Sequence, residues 1–108
     1  MSTVTNNNIK CSMALAALMH VDDPEIGLNV VDLGLIYEIY FDETEKKIVC
    51  TQTLTTEFCP MGDSIVSNVT QALQQTFPEY FIEVNLTFEP PWSFESVSEE
   101  GRKFLGHY

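Results

Sequence analysis

Two stretches in which every second residue repeats the same character, joined by a charged turn, constrain this chain more than any other feature. Leu35, Tyr37, Ile39 and Phe41 form the first set, and Ile48, Cys50, Gln52 and Leu54 form the second, with Asp42-Glu43-Thr44-Glu45-Lys46 between them. A period of two puts each set on one face of a strand, so the pair reads as a β-hairpin with Cys50 on its buried face. The period then changes: over residues 62–77, Ile65, Val69, Ala72, Leu73 and Thr76 share one helical stripe, and Pro78 ends it. Ile82, Val84, Leu86 and Phe88 alternate again as a third strand, which Pro90-Pro91 terminates. Upstream, Cys11, Ala14, Leu15 and Leu18 predict a helix over residues 9–19, stopped by Asp22-Asp23-Pro24. Ser96-Val97-Ser98-Glu99 has capping-box spacing and predicts a last short helix.

The order helix, strand, strand, helix, strand, short helix predicts an α/β domain of the α+β type in two layers. A small three-stranded mixed sheet is expected, covered on one face by two helices. A strand-helix-strand crossover makes the second and third strands parallel, and the hairpin makes the first antiparallel to the second. Asp32-Leu33-Gly34 before the first strand, Thr55 through Cys59 after the second, and Pro90-Pro91-Trp92 after the third then share one end of the sheet. Asp23-Pro24-Glu25 reaches the same end through a short loop. Strand carboxyl ends meeting a helix amino end form a usual place for a site in an open α/β layer.

At 108 residues and 44% hydrophobic content, the chain supports one core and one domain, expected over residues 9–108 behind a polar, Asn-rich tail over 1–8. The formal charge of -11, from 16 acidic against 5 basic residues, disfavours phosphate backbones and anionic head groups as partners. Nucleic acid and membrane are therefore not expected, and neither a bilayer-spanning run nor a basic-then-apolar leader is evident, which predicts a cytoplasmic protein. Cysteines at 11, 50 and 59 make an odd number with no C-x-x-C pair. Neither a disulfide framework nor a complete metal site is indicated, since a stable zinc or iron-sulfur centre takes about four protein ligands.

Four segments in order carry a resemblance: Asp23-Pro24-Glu25-Ile26, Val31-Asp32-Leu33-Gly34-Leu35-Ile36-Tyr37, Leu54-Thr55-Thr56 with Cys59-Pro60-Met61-Gly62, and Pro90-Pro91-Trp92-Ser93. From about Met13 to Gly106 the chain resembles the SufT/PaaD-like iron-sulfur cluster assembly factors. The resemblance implies a compact two-layer α/β fold and a non-enzymatic role in delivering or maturing clusters on recipient apo-proteins, with cluster carrier proteins as further partners; one cysteine ligand per chain adds a homodimer to the expected partners. The resemblance puts the family's reactive cysteine on Cys59, its acidic pair on Asp23 and Glu25, and its acid before the first strand on Asp32. With so few sulfurs in the chain, the expected cofactor is a transient or shared iron-sulfur cluster, with none resident on the monomer. Two departures stand out. Gln52 occupies a strand position where the family usually has an apolar residue, and Glu57-Phe58 replaces small or Pro-Gly residues before the cysteine.

Each candidate has a plain structural alternative. Cys59 at a helix start gains unpaired N-H groups and the positive dipole end, which favour a thiolate able to ligate metal, but it can equally be a cap before Pro60. Asp63, Glu57 and the net charge oppose the thiolate. Asp23 is a hard ligand or supporting acid, or an ordinary turn residue before proline; Asp32 holds its loop through backbone N-H groups. Thr55 and Thr56 donate hydroxyls to a sulfide or thiolate, or satisfy local backbone. Trp92 is a lid over the sheet end or a partner anchor, and Arg102 pairs with a site carboxylate or stays solvated. Two other functions fit the residues: a small thiol enzyme or acyl carrier with Cys59 as nucleophile, which lacks a histidine partner, and a non-catalytic adaptor.

Overall fold

The computed structural model describes residues 3–56 and 62–106. It contains β1 (Val4–Thr5), α1 (Asn8–Leu18), β2 (Asp22–Asp23), β3 (Leu28–Asn29), β4 (Ile36–Asp42), β5 (Lys47–Gln52), α2 (Gly62–Thr76), β6 (Phe81–Leu86), a 3-10 turn (Phe94–Ser96) and α3 (Glu99–Leu105). The main sheet runs β1-β4-β5-β6, and β2 and β3 form a separate antiparallel ribbon. The hairpin and the crossover take the expected directions: β4 and β5 are antiparallel, and β5 and β6 are parallel.

The class is as expected, a small mixed α/β domain, but the sheet has four strands where three were expected. The additional strand comes from the segment expected to be a tail. Val4 and Thr5 pair in parallel with Glu38 and Ile39, and the Asn6 side chain bonds both the N-H and the carbonyl of Phe41. Asn7 then caps α1 by accepting from the Lys10 N-H at 3.0 Å. Asparagine amides that satisfy backbone groups, rather than apolar burial, fix this segment. Polar composition therefore gave no sign of it.

The inner face of the sheet carries Ile39, Phe41, Ile48, Cys50 and Ile82, all buried against Cys11, Ala14 and Leu18 of α1 and Ile65, Val69 and Leu73 of α2. Each such aliphatic side chain contributes about 1.5–3 kcal/mol on burial. The alternation is interrupted once. A register shift between Ile36 and Glu38 places both Ile36 and Tyr37 opposite Gln52, so Ile36 takes the buried position that the pattern assigned to Tyr37. At the hairpin end, Glu43 accepts from Lys10 at 2.8 Å and from the Tyr80 hydroxyl at 2.6 Å, tying α1, the hairpin turn and the start of β6 together. These two hydrogen bonds, Lys10 first, hold the Glu43 carboxyl below its ordinary range. The last helix begins later than its capping-box spacing suggested: Ser98, not Ser96, is the cap, accepting from the Gly101 N-H at 3.0 Å.

Candidate functional site

The ribbon is stitched to the sheet end by backbone bonds that pass from Val30 N-H to Val21 carbonyl, from Leu35 N-H to Val30 carbonyl, and from Thr53 N-H to Leu35 carbonyl. Thr87 N-H donates to the Gln52 carbonyl at 2.8 Å, continuing the line past the end of β6. The segment after β6 then folds back over this end. Tyr37 donates its hydroxyl to the Pro90 carbonyl at 2.7 Å, and Trp92 Nε1 donates to the Leu33 carbonyl at 2.6 Å. Burial pushes the Tyr37 hydroxyl above its ordinary value, with a Thr53 hydrogen bond acting the other way.

Between this strap and the end of β5 lies a groove of about 290 Å³, lined by Leu54, Thr55, Thr56, Phe88, Glu89, Pro91 and Trp92. Thr55, Thr56 and Trp92 are thus brought together. Trp92 is half-buried, with its ring packed on the core and its N-H spent on a backbone carbonyl, the geometry of a lid. Phe88, Glu89 and Pro91 were not singled out as site residues. The sequence signal for them was the alternation running on to Phe88 and breaking at Pro90-Pro91, which placed their side chains at the strand end without saying what they face.

Asp23 is buried and shapes the ribbon turn. Its Oδ1 accepts from the Glu25 N-H at 2.9 Å, and its carbonyl accepts from Gly27 at 2.7 Å. Its Oδ2 is buried with no hydrogen-bond partner among the described residues, and Glu25 is exposed beside it. Asp32 does not line the groove. It holds its loop to α3, accepting from Asn29 Nδ2 and from the Ser98 hydroxyl at 2.8 Å each, while its carbonyl accepts from the Ser98 N-H at 2.7 Å. Arg102 donates to the Glu95 carbonyl at 3.1 Å and stands 5.5 Å from the Phe94 ring centre; among the described residues it forms no ion pair with a carboxylate.

Cys59, with Glu57, Phe58, Pro60 and Met61, lies outside the described residues. The chain enters that segment at Thr56 and leaves it at Gly62, where α2 begins with Asp63 in its first turn. Of the other two thiols, Cys11 is 4% exposed and Cys50 fully buried. Burial, helped by Cys11 nearby, pushes the Cys50 thiol up to about 12. Neither is presented as a ligand, since it is the exposed thiolate that reacts or binds metal. Among the described residues no group of three or more His, Cys, Asp or Glu side chains is placed to hold a metal ion. No described helix is long and apolar enough to cross a membrane.

Fold and groove define a small mixed α/β domain with a strapped sheet end beside a helix amino terminus. A sequence model of the family described as iron-sulfur cluster assembly protein matches residues 12–96, and the chain belongs to that family. It is 38% identical over 88 residues to the Fe-S protein maturation auxiliary factor SufT of Staphylococcus aureus, covering 80% of this chain and 97% of that one. It is 36% identical over 92 residues to the Fe-S protein maturation auxiliary factor YitW of Bacillus subtilis, covering 85% and 89%. A crystal structure of a domain of unknown function from Bacillus anthracis shares the fold with a TM-score of 0.83 and 39% identity, covering 93% of this chain and 98% of that one.

Proposed function

We propose that this protein is an auxiliary factor in iron-sulfur protein maturation, acting without catalysing a reaction of its own, with the cluster as cargo rather than resident cofactor. Membership of the assembly family and the maturation role named for its relatives support this. The observation that supports the assignment of the thiol is the burial of Cys11 and Cys50, which removes both described thiols as ligands and puts a passing contact with iron or with a recipient's cluster on Cys59 by elimination. One cysteine per chain cannot hold a cluster alone, so the remaining ligands come from a recipient apo-protein, a carrier or a second chain. Thr55 and Thr56, which line the groove, bring hydroxyls toward a sulfide or thiolate, and Glu25 adds an exposed acid on the ribbon whose turn the buried Asp23 shapes.

Cys59→Ser tests this in the host. Cluster-dependent enzymes lose activity in the variant if Cys59 handles the cluster, and full activity would reduce the protein to an adaptor that needs no thiol. Anaerobic reconstitution is the companion measurement: the monomer stays colourless, and colour appears only with an external thiol, a partner or a dimer. A stable four-iron cluster on the isolated monomer would contradict the ligand count.

A further inference from the structure

The two edges of the main sheet differ. One is β1, two residues long, and the other is β6, six residues paired to β5 in unbroken register from Phe81 to Leu86. The bonds to β5 fix the direction of every backbone group in β6. Phe81 N-H donates to the Lys46 carbonyl and Thr87 N-H to the Gln52 carbonyl, so the odd-numbered residues point their N-H and C=O groups at β5. Ile82, Val84 and Leu86 therefore aim theirs out of the sheet, and among the described residues nothing meets them. The chain after β6 does not return to cover them, because the Pro90 carbonyl and Trp92 are held by Tyr37 and Leu33 on the far side of β5. Sheet edges of this length are ordinarily blunted by lysine, proline or a bulge, and β6 has none of these.

The side chains along this edge sort by face. On the inner face Val84 is half-buried and Leu86 is 45% exposed, and α2 runs beside β6, with Gln74 donating to the Tyr80 carbonyl at 3.0 Å. Thr70 and Val66 lie one and two turns before Gln74 on the same helical stripe, so this shelf is uncharged. On the outer face Phe81 is exposed, and positions 79–89 carry Glu79, Glu83 and Glu89 with no basic residue. Glu83 is taken by Lys47 at 2.8 Å, whereas Glu79 and Glu89 are exposed and in no ion pair among the described residues.

We propose that the open edge of β6 accepts an added strand, an extended segment of a partner protein in which apolar residues alternate with lysine or arginine. The unpaired N-H and C=O groups specify an extended backbone, the uncharged shelf takes its apolar side chains, and the acids at both ends take its basic ones. Charge also selects against a second copy. Antiparallel pairing of β6 with itself through Ile82, Val84 and Leu86 would bring Glu79 of each copy toward Glu89 of the other. One end of the added strand lies at Leu86, two residues before Phe88 in the lining of the sheet-end groove, so the segment is led to that groove. The edge is open whatever role Cys59 has.

A short blocked peptide of alternating valine and lysine, titrated into the isotope-labelled full chain, tests this by amide hydrogen exchange. At saturation the amides of Ile82, Val84 and Leu86 slow by at least about tenfold, while those of Phe81, Glu83 and Asn85, already bonded to β5, do not change. N-methylation of the valines blocks binding if the strand adds antiparallel, and N-methylation of the lysines if it adds parallel. The other methylated peptide still binds, because only alternate N-H groups face β6. Val84→Pro deletes the central outward donor without touching a bond to β5 and weakens binding by at least about tenfold, with circular dichroism checking the fold. Glu79→Lys weakens it by about fivefold through charge alone, and this variant and the methylated peptides decide the matter if Val84→Pro does not fold. No binding at millimolar peptide overturns the proposal. So does equal binding of both methylated peptides, equal binding of a valine and glutamate peptide, or protection of the same three amides by self-association of the chain.

Discussion

Gln52 is the buried residue whose replacement most directly tests how the core is balanced. Its side chain lies on the inner face of β5 with no solvent exposure, and its Nε2 donates to the Thr53 carbonyl at 3.4 Å, near the limit of a hydrogen bond. Among the described residues its Oε1 has no partner. An unsatisfied buried polar group costs about 1–3 kcal/mol, whereas so long a bond returns about 0.5 kcal/mol. Methionine is unbranched, of similar length and without polar ends, so Gln52→Met removes the penalty with little repacking. The expected net gain is about 1 kcal/mol, or about 4–8 °C in Tm for a domain of this size. Urea denaturation should show the midpoint rising with an unchanged slope. Gln52→Glu should lose about 3 kcal/mol or more, because it buries an unpaired carboxylate. A loss of 1 kcal/mol or more in Gln52→Met would refute the reasoning by showing that Oε1 is satisfied in solution. A Gln52→Met protein that is more stable yet poorer at restoring cluster-dependent activity would tie the amide to the neighbouring strand end that leads into Thr55 and Thr56.

Three further outcomes follow from the packing. Gly34 has φ of +78°, and a Cβ there would overlap the Ser96 carbonyl, so Gly34→Ala should cost over about 3 kcal/mol and be visible as a collapsed urea midpoint. Ser98→Ala removes the α3 cap and a donor to Asp32 and should cost about 1–2 kcal/mol by thermal melting. Ser98→Asp, normally an excellent cap, should be worse still because its carboxylate would meet that of Asp32. Cys50 binds its proton more tightly folded than unfolded, so its contribution is intact below its ordinary value of 9.0 and is lost as pH rises toward about 12. The loss should approach about 1.4 kcal/mol per pH unit across that window. Cys50→Ala should flatten the alkaline limb of a stability profile measured with urea.

The hairpin, the crossover and the shared sheet end were legible because each depends on hydrophobic period alone, and Cys50, Ile65, Val69 and Leu73 are buried where their periods put them. What escaped depends on partners remote in sequence. β1 exists because Asn6 reaches Phe41, thirty-five residues away. Ser98 rather than Ser96 caps α3 because Asp32 takes its hydroxyl. The bulge that buries Ile36 and frees Tyr37 lets that hydroxyl hold Pro90, and no pattern within β4 announces it. The site divides the same way. Thr55, Thr56 and Trp92 met at the groove because strand direction put them there, while Asp32 and Arg102 turned to α3 and the Glu95 carbonyl for reasons of local hydrogen bonding.

Charge layout divides the molecule into an acidic part and a helix layer nearly free of charge. The segments around the sheet end and α3 carry Asp22, Asp23, Glu25, Asp32, Glu89, Glu95, Glu99 and Glu100 against only Arg102 and Lys103. Lys10, Lys46 and Lys47 are held at the opposite end by Glu43 and Glu83. The groove lining itself carries one charged residue, Glu89, so a recipient or carrier that docks there meets an acid at the groove and a chain of net charge -11 around it, and a basic patch on it would speed encounter in low salt. Its association should slow as salt is added, with the dissociation rate little changed. Measuring recipient binding in a salt series tests this: binding that strengthens with salt would remove the negative charge of the chain from the docking account.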